Sequence, residues 1–276
     1  MNQPQPTIAL VAGEASGDQL GAALVEALRA RFPQARFVGI AGEKMQAAGV
    51  EPWFDASELA VMGLFEVLSH LPRLLKLRRE LLRRLRENPP DVFVGIDAPD
   101  FNLGLEIKLR RAGIRTAHYV SPTVWAWRER RVHKIARAAD RVLCLFPFEP
   151  AFYERHGVVA DYVGHPLADQ ITADREPRAA RNRLGLDPVA TTIALLPGSR
   201  HSETARLAEP MIEAARQLGS RRGGLQFVAA MASESIEAGF REEMQRLGCE
   251  RIRLVQGDPR TVIAAGDVVL CASGTA

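Results

Sequence analysis

Short apolar runs rich in β-branched residues recur along the chain, and each gives way to small or polar residues and then to a stretch with helical spacing. Residues 8–12 lead into Gly13-Glu14-Ala15-Ser16-Gly17-Asp18 and a helical period over 20–30. The same pattern predicts strands at 36–40, 92–96, 116–120 and 141–146, and again at 192–196, 225–230, 252–255 and 268–271. Strand, loop and helix in repeated alternation specify an α/β fold with parallel sheets covered by helices. The pattern lapses into charged and polar residues around 166–188. This divides the chain into a first domain at 1–165, a connection at 166–190 and a second domain at 191–276. Two long amphipathic stretches contain a proline. Pro72 is expected to split 62–86, and Pro210 to kink or restart a helix over 203–218. The second domain has about four strands and reaches Ser273-Gly274-Thr275-Ala276 where a loop should feed a helix, so it reads as incomplete.

Composition changes this picture little. At 276 residues, with 47% hydrophobic and 25% charged, the chain is an ordinary globular one of about two domains. The net charge of +3 matters less than its placement, because Arg73, Lys76, Arg78, Arg79, Arg83, Arg84 and Arg86 interleave with leucines in one segment. Nothing else in the charge pattern points to nucleic acid. Cys144, Cys249 and Cys271 are dispersed and lack CxxC spacing, which reads as reduced thiols in the cytoplasm. No apolar run spans a bilayer, so membrane contact would be peripheral.

Several loops carry candidate chemistry. The run 92–96 ends at Asp97, and Pro99 stops the strand, so Asp97 stands at a strand C-terminus where open α/β sheets bind ligands. It is the candidate catalytic carboxylate, against a plain turn-capping role. Asp100 fits an N-cap of the next helix. The 13–18 loop sits where a phosphate cradle would, yet has neither GxGxxG nor a P-loop. Glu14 and Ser16 suit neutral sugar hydroxyls instead, or else Ser16 or Asp18 merely caps the helix. In Pro197-Gly198-Ser199-Arg200, Gly198 lets backbone approach a ligand and Arg200 adds bidentate donors, a combination suited to a diphosphate or to an unremarkable turn. Trp125 and Trp127 either line a sugar site or anchor the core. His165 either reaches ligand or pins the domain junction. Leu64, Val67, Leu68, Leu71 and Leu75 share a helical face beside the basic cluster. That face is a lipid-binding surface or the inner face of a core helix. No DxD or His/Asp cluster suggests a metal.

Together Val11-Ala12-Gly13-Glu14-Ala15-Ser16-Gly17-Asp18, Gly95-Ile96-Asp97-Ala98-Pro99-Asp100-Phe101-Asn102, His118-Tyr119-Val120-Ser121-Pro122 with Trp125-Ala126-Trp127-Arg128, and Leu195-Leu196-Pro197-Gly198-Ser199-Arg200 resemble lipid-A-disaccharide synthases. The resemblance implies a GT-B fold, two Rossmann-like domains facing a cleft, with no metal or cofactor. It implies transfer from UDP-2,3-diacylglucosamine to 2,3-diacylglucosamine 1-phosphate, giving a β-1,6-linked disaccharide and UDP at the cytoplasmic face of the inner membrane. Asp97 would be the base. Gly198, Ser199, Arg200, Ser273, Gly274 and Thr275 would bind the donor, and Glu14, Ser16, Trp127 and His165 would line the acceptor side. The family continues beyond Ser-Gly-Thr-Ala with the rest of a C-terminal domain, on which a dimer would depend. Other UDP-sugar GT-B enzymes, a lipid-linked N-acetylglucosaminyl transferase or a UDP-sugar epimerase, remain alternatives, as does a non-catalytic lipid-binding fragment.

Overall fold

The computed structural model describes residues 5–59, 64–170, 176–199 and 201–272, with side chains in the helix from Leu64 described from residue 72 onward. Two compact units divide the chain, Met1–Ile171 and Thr172–Ala276. In the first, the order is β1 (Thr7–Ala12), α1 (Ala15–Arg31), β2 (Arg36–Ala41), α2 (Glu43–Ala47), β3 (Glu51–Asp55), α3 (Leu64–Glu87) and β4 (Val92–Ile96). It continues with α4 (Pro99–Arg111), β5 (Arg115–Tyr119), α5 (Val124–Trp127), α6 (Val132–Ala138), β6 (Arg141–Cys144), α7 (Glu149–Glu154), β7 (Ala160–Tyr162) and α8 (Pro166–Gln170). The second unit runs α9 (Pro177–Arg183), β8 (Thr191–Leu196), α10 (His201–Arg221), β9 (Leu225–Met231), α11 (Glu234–Arg246), β10 (Ile252–Gln256), α12 (Pro259–Ala265) and β11 (Val268–Cys271).

Among the described residues the first unit holds a seven-stranded parallel sheet in the order β3-β2-β1-β4-β5-β6-β7, and the second a four-stranded parallel sheet in the order β10-β9-β8-β11. Leu10, Val11, Ile40, Phe93 and Ile96 are fully buried because helices cover both faces of the sheet, which is why these strands read as continuous apolar runs. In each sheet the winding reverses once, between β1 and β4 in the first and between β8 and β11 in the second. Such a reversal leaves a crevice at the strand C-termini, where neighbouring loops part in opposite directions.

Four expectations need correction. First, β3 and β7 were not foreseen. Both are edge strands, β3 interrupted by Pro52 and by a register shift against β2, β7 only three residues long, so neither carries an apolar run. Second, Pro72 and Pro210 lie inside continuous helices, so Pro72 does not split its segment and Pro210 does not restart one. Pro210 and Arg206, whose carbonyl loses its helical partner, are both exposed, so the lost bond lies on the solvent-facing side of the helix. Third, the 166–190 stretch is not loosely packed throughout. α9 buries Ala180 and Arg181 against the second unit, where Arg181 pairs with Asp267 at 2.7 Å and donates to the Ala265 carbonyl at 2.9 Å. Fourth, Asp18 does not cap its own helix. It is buried and accepts from the amides of Gly42, Lys44 and Met45 at 2.8, 2.9 and 3.1 Å, capping α2. Ser16 is exposed, so it does not do this work either.

The placement of the cysteines and of Tyr119 can be tested in two ways. Cys144 and Cys249 are buried and Cys271 is exposed. Native protein should therefore react with one equivalent of a thiol reagent, and denatured protein with three; rapid native modification of two or more thiols would contradict this packing. Burial pushes the Cys144 thiol up to about 12, with Glu149 and Asp161 adding to the effect, and burial pushes the Tyr119 phenol to about 12. A folded-state value raised above the unfolded one gives stability that is complete below the unfolded value and drains as pH rises through the window. Denaturant midpoints should thus hold up to about pH 9 and fall steadily from there towards about pH 12.

Candidate active site

The reversal between β1 and β4 brings two of the sequence candidates together. Ala12 pairs with Ile96 at the last rung of the ladder, so Gly13-Glu14 and Asp97-Ala98 leave the sheet side by side. The two loops touch, since a Cβ placed on Gly13 would lie 3.3 Å from that of Ala98. Glu14 takes the position before α1 in extended backbone, is exposed, and makes no side-chain cap. Ser16 is exposed one residue inside the helix.

Asp97 and Ala98 both adopt the left-handed region, at φ 49° and 42°. Such a conformation costs a non-glycine residue about 1–3 kcal/mol, and it persists only where its surroundings impose it. Here the Asp97 amide donates to the Tyr119 carbonyl at 2.8 Å, tying the elbow to β5, and the Asn102 amide group donates to the Asp97 carbonyl at 2.9 Å. The Asp97 side chain is half-buried at the strand end. Asp100 is not the N-cap, because Ala98 holds that position and Pro99 opens α4. Asp100 instead lies in the first turn and pairs with Arg131.

The next strand also leaves under constraint, for Val120 after β5 has φ 76°, rare for a β-branched residue. Beyond it α5 carries the two tryptophans. Neither is a core anchor. Trp125 is 38% and Trp127 66% exposed, while Val124 takes the buried place in this single turn. Arg128 lies over the Trp127 ring at 4.2 Å. Trp125 meets Phe148 edge-on at 4.9 Å and Phe148 stacks on Phe146 at 5.7 Å, an exposed aromatic ledge on the β5 and β6 side of the same sheet edge. The carboxylate of Glu149, 1% exposed, fastens this ledge by accepting from the Trp125 indole at 3.2 Å and the Phe146 amide at 2.9 Å. Sequence reasoning missed Glu149. Its only local signal was an acid between two prolines at the start of a helix. His165 lies farther along, after β7, where its Nδ1 accepts from the Leu167 amide at 3.1 Å at the start of α8.

In the second unit Gly198 follows β8 with φ 112°, and a Cβ there would meet a Glu203 carboxylate oxygen at 2.7 Å, so only glycine fits. Ser199 is exposed ahead of α10. Leu196 pairs with Cys271, which sets this loop beside the end of β11 at the second reversal. Arg200, Ser273, Gly274 and Thr275 lie outside the described residues, as do the side chains of Leu64, Val67, Leu68 and Leu71. Leu75 is half-buried, and farther along α3 Leu77, Leu81, Leu82 and Leu85 are buried core. No described helix is long and apolar enough to cross a membrane.

Comparison with known proteins fits this geometry. Among solved structures, a putative UDP-N-acetylglucosamine 2-epimerase from Listeria monocytogenes superposes with a TM-score of 0.67 at 16% identity, covering 98% of this chain and 75% of that one. The UDP-GlcNAc 2-epimerase from Neisseria meningitidis gives 0.66 at 10% identity, covering 97% and 78%. These likenesses show the fold alone, the parallel α/β architecture called GT-B. In sequence, the lipid-A-disaccharide synthase of Xanthomonas campestris pv. campestris strain 8004 is 54% identical over 273 residues, 98% of this chain and 62% of that protein. That of Xylella fastidiosa strain M12 is 52% identical over 273 residues, 98% of this chain and 71% of that protein. With a family model matching over residues 8–276 as well, the chain belongs to the lipid-A-disaccharide synthetase family.

Proposed function

We propose that the protein is an inverting glycosyltransferase that joins UDP-2,3-diacylglucosamine to 2,3-diacylglucosamine 1-phosphate, forming a β-1,6-linked disaccharide and releasing UDP. The observation that carries this reading is the Asp97 carboxylate held at the first sheet's reversal by a left-handed elbow. In the reaction the acceptor 6-hydroxyl oxygen attacks the donor anomeric carbon while its proton passes to the Asp97 carboxylate. The bond from that carbon to the diphosphate breaks on the opposite face, and the electron pair leaves with UDP.

Glu14 and Ser16 suit hydrogen bonding to sugar hydroxyls beside Asp97. Trp127 offers an exposed ring for a sugar face, and His165 borders the same sheet edge. On the donor side, Gly198, Ser199 and Arg200, with the N-terminus of α10 behind them, suit a diphosphate, and Ser273, Gly274 and Thr275 would complete that site. Charge developing on UDP is then met by Arg200 and backbone amides, a role a metal fills in other transferases. The apolar stripe of Leu64, Val67, Leu68, Leu71 and Leu75, flanked by arginines, suits peripheral contact with anionic lipid at the cytoplasmic face of the inner membrane.

In an active preparation, Asp97→Asn should lower kcat about 100-fold or more with donor affinity kept, the effect of a lost general base. Turnover near that of the parent protein would remove Asp97 from this role. Arg200→Ala should weaken UDP binding about tenfold or more in calorimetric titration, and unchanged affinity would count against the diphosphate contact.

A further inference from the structure

Beneath Asp97 the helix α4 meets the sheet through polar side chains where apolar packing would be ordinary. Asn102 and, one turn on, Glu106 face β4 and β5 and are fully buried, as is His118 on β5. Glu106 Oε1 and His118 Nδ1 are 2.7 Å apart. Gly95 makes the space, because it pairs with His118 in register and a Cβ there would lie 2.1 Å from Glu106 Oε1 and 2.9 Å from Asn102 Cβ. Asn102 Nδ2 donates to the Asp97 carbonyl at 2.9 Å and lies 3.3 and 3.4 Å from those of Ile96 and Val11, at the ends of β4 and β1. The same three side chains carry unpartnered buried atoms: Asn102 Oδ1, Glu106 Oε2 and His118 Nε2. Unpartnered buried polar atoms are costly, so a seam selected for stability alone would be apolar.

We infer that Asn102, braced by the Glu106–His118 pair, is a positioning residue that fixes the direction of the Asp97 carboxylate. The argument rests on the reading of Asp97 as the base. Two left-handed residues in succession have to be held from outside, and the Asn102 amide grips the one carbonyl between them while bridging the two strands that flank the reversal. Glu106 and His118 set the height of α4 over Gly95, and with it the reach of Asn102. The Asn102 side chain, through its bond to the Asp97 carbonyl, thereby turns helix docking into the orientation of the carboxylate.

The test is Asn102→Leu, of similar volume but without the donor, with Asn102→Ser as a second variant should the first not fold. Amide exchange at Asp97 should rise about tenfold while that at Val94 and Phe93 holds, because one local tie is lost and the sheet is not. kcat should fall about 100-fold at unchanged KM and nearly unchanged Tm, the penalty of a base displaced by about 1 Å. Replacing Glu106 and His118 together by Leu should keep or raise Tm and still lower kcat, whereas Glu106→Gln, which keeps the bond to His118, should restore most of it. Exchange at Asp97 that stays unchanged, or rises only in step with the whole sheet, overturns the inference. So does a kcat that follows Tm across the series. If Asp97→Asn turns over normally, the proposed base role fails, and the exchange measurement still decides whether Asn102 holds the elbow.

Discussion

A carboxylate at the end of a parallel strand is useful only if the backbone beneath it is held still, and in this protein that demand falls on Asp97 and Ala98. Their consecutive left-handed conformations are unfavourable locally, and every neighbouring group acts to retain them. The Tyr119 carbonyl takes the Asp97 amide, the Asn102 side chain takes the Asp97 carbonyl, and the Ala98 carbonyl accepts the first amides of α4. Pro99 then starts the helix at once, with no loop in which the strain could relax. The order of strands completes the arrangement. Because β1 lies next to β4, the Gly13-Glu14 turn rests on the same elbow, and the Glu14 and Asp97 residues stand at adjacent strand ends.

The second unit repeats the scheme with other chemistry. Gly198, whose φ of 112° and contact with Glu203 exclude any side chain, turns the chain from β8 towards α10. The N-terminus of a helix such as α10 favours negative charge, which is what makes this turn a candidate diphosphate site. Among the described residues β11 is the outermost strand on the β8 side of this sheet, with Val268, Leu270 and Cys271 exposed.

Local patterning revealed most of the elements and the principal loops. Residues 92–96 were recognisable as a buried strand because both faces are covered, and the break at Asp97-Ala98-Pro99 marked its end. Sequence could not show what depends on distant partners. Asp18 looks like a cap for its own helix, yet it caps α2, more than twenty residues on. Glu106 and His118 carry no local signal that relates them, and only the pairing of β4 with β5 over Gly95 unites them. Edge strands β3 and β7 lack an apolar signature because they are half-covered, and the tryptophans of α5 are apolar residues that the fold leaves exposed. Tertiary context overrode local propensity in each case.

The central claim is that Asp97 accepts the proton of the attacking hydroxyl. A crystal structure with acceptor bound tests it most directly. The account predicts an Asp97 carboxylate oxygen about 2.6–3.2 Å from the acceptor 6-hydroxyl oxygen, with the elbow at Asp97 and Ala98 unchanged from its left-handed geometry. An acceptor whose 6-hydroxyl lies against another group, with Asp97 turned away from it, would contradict the account.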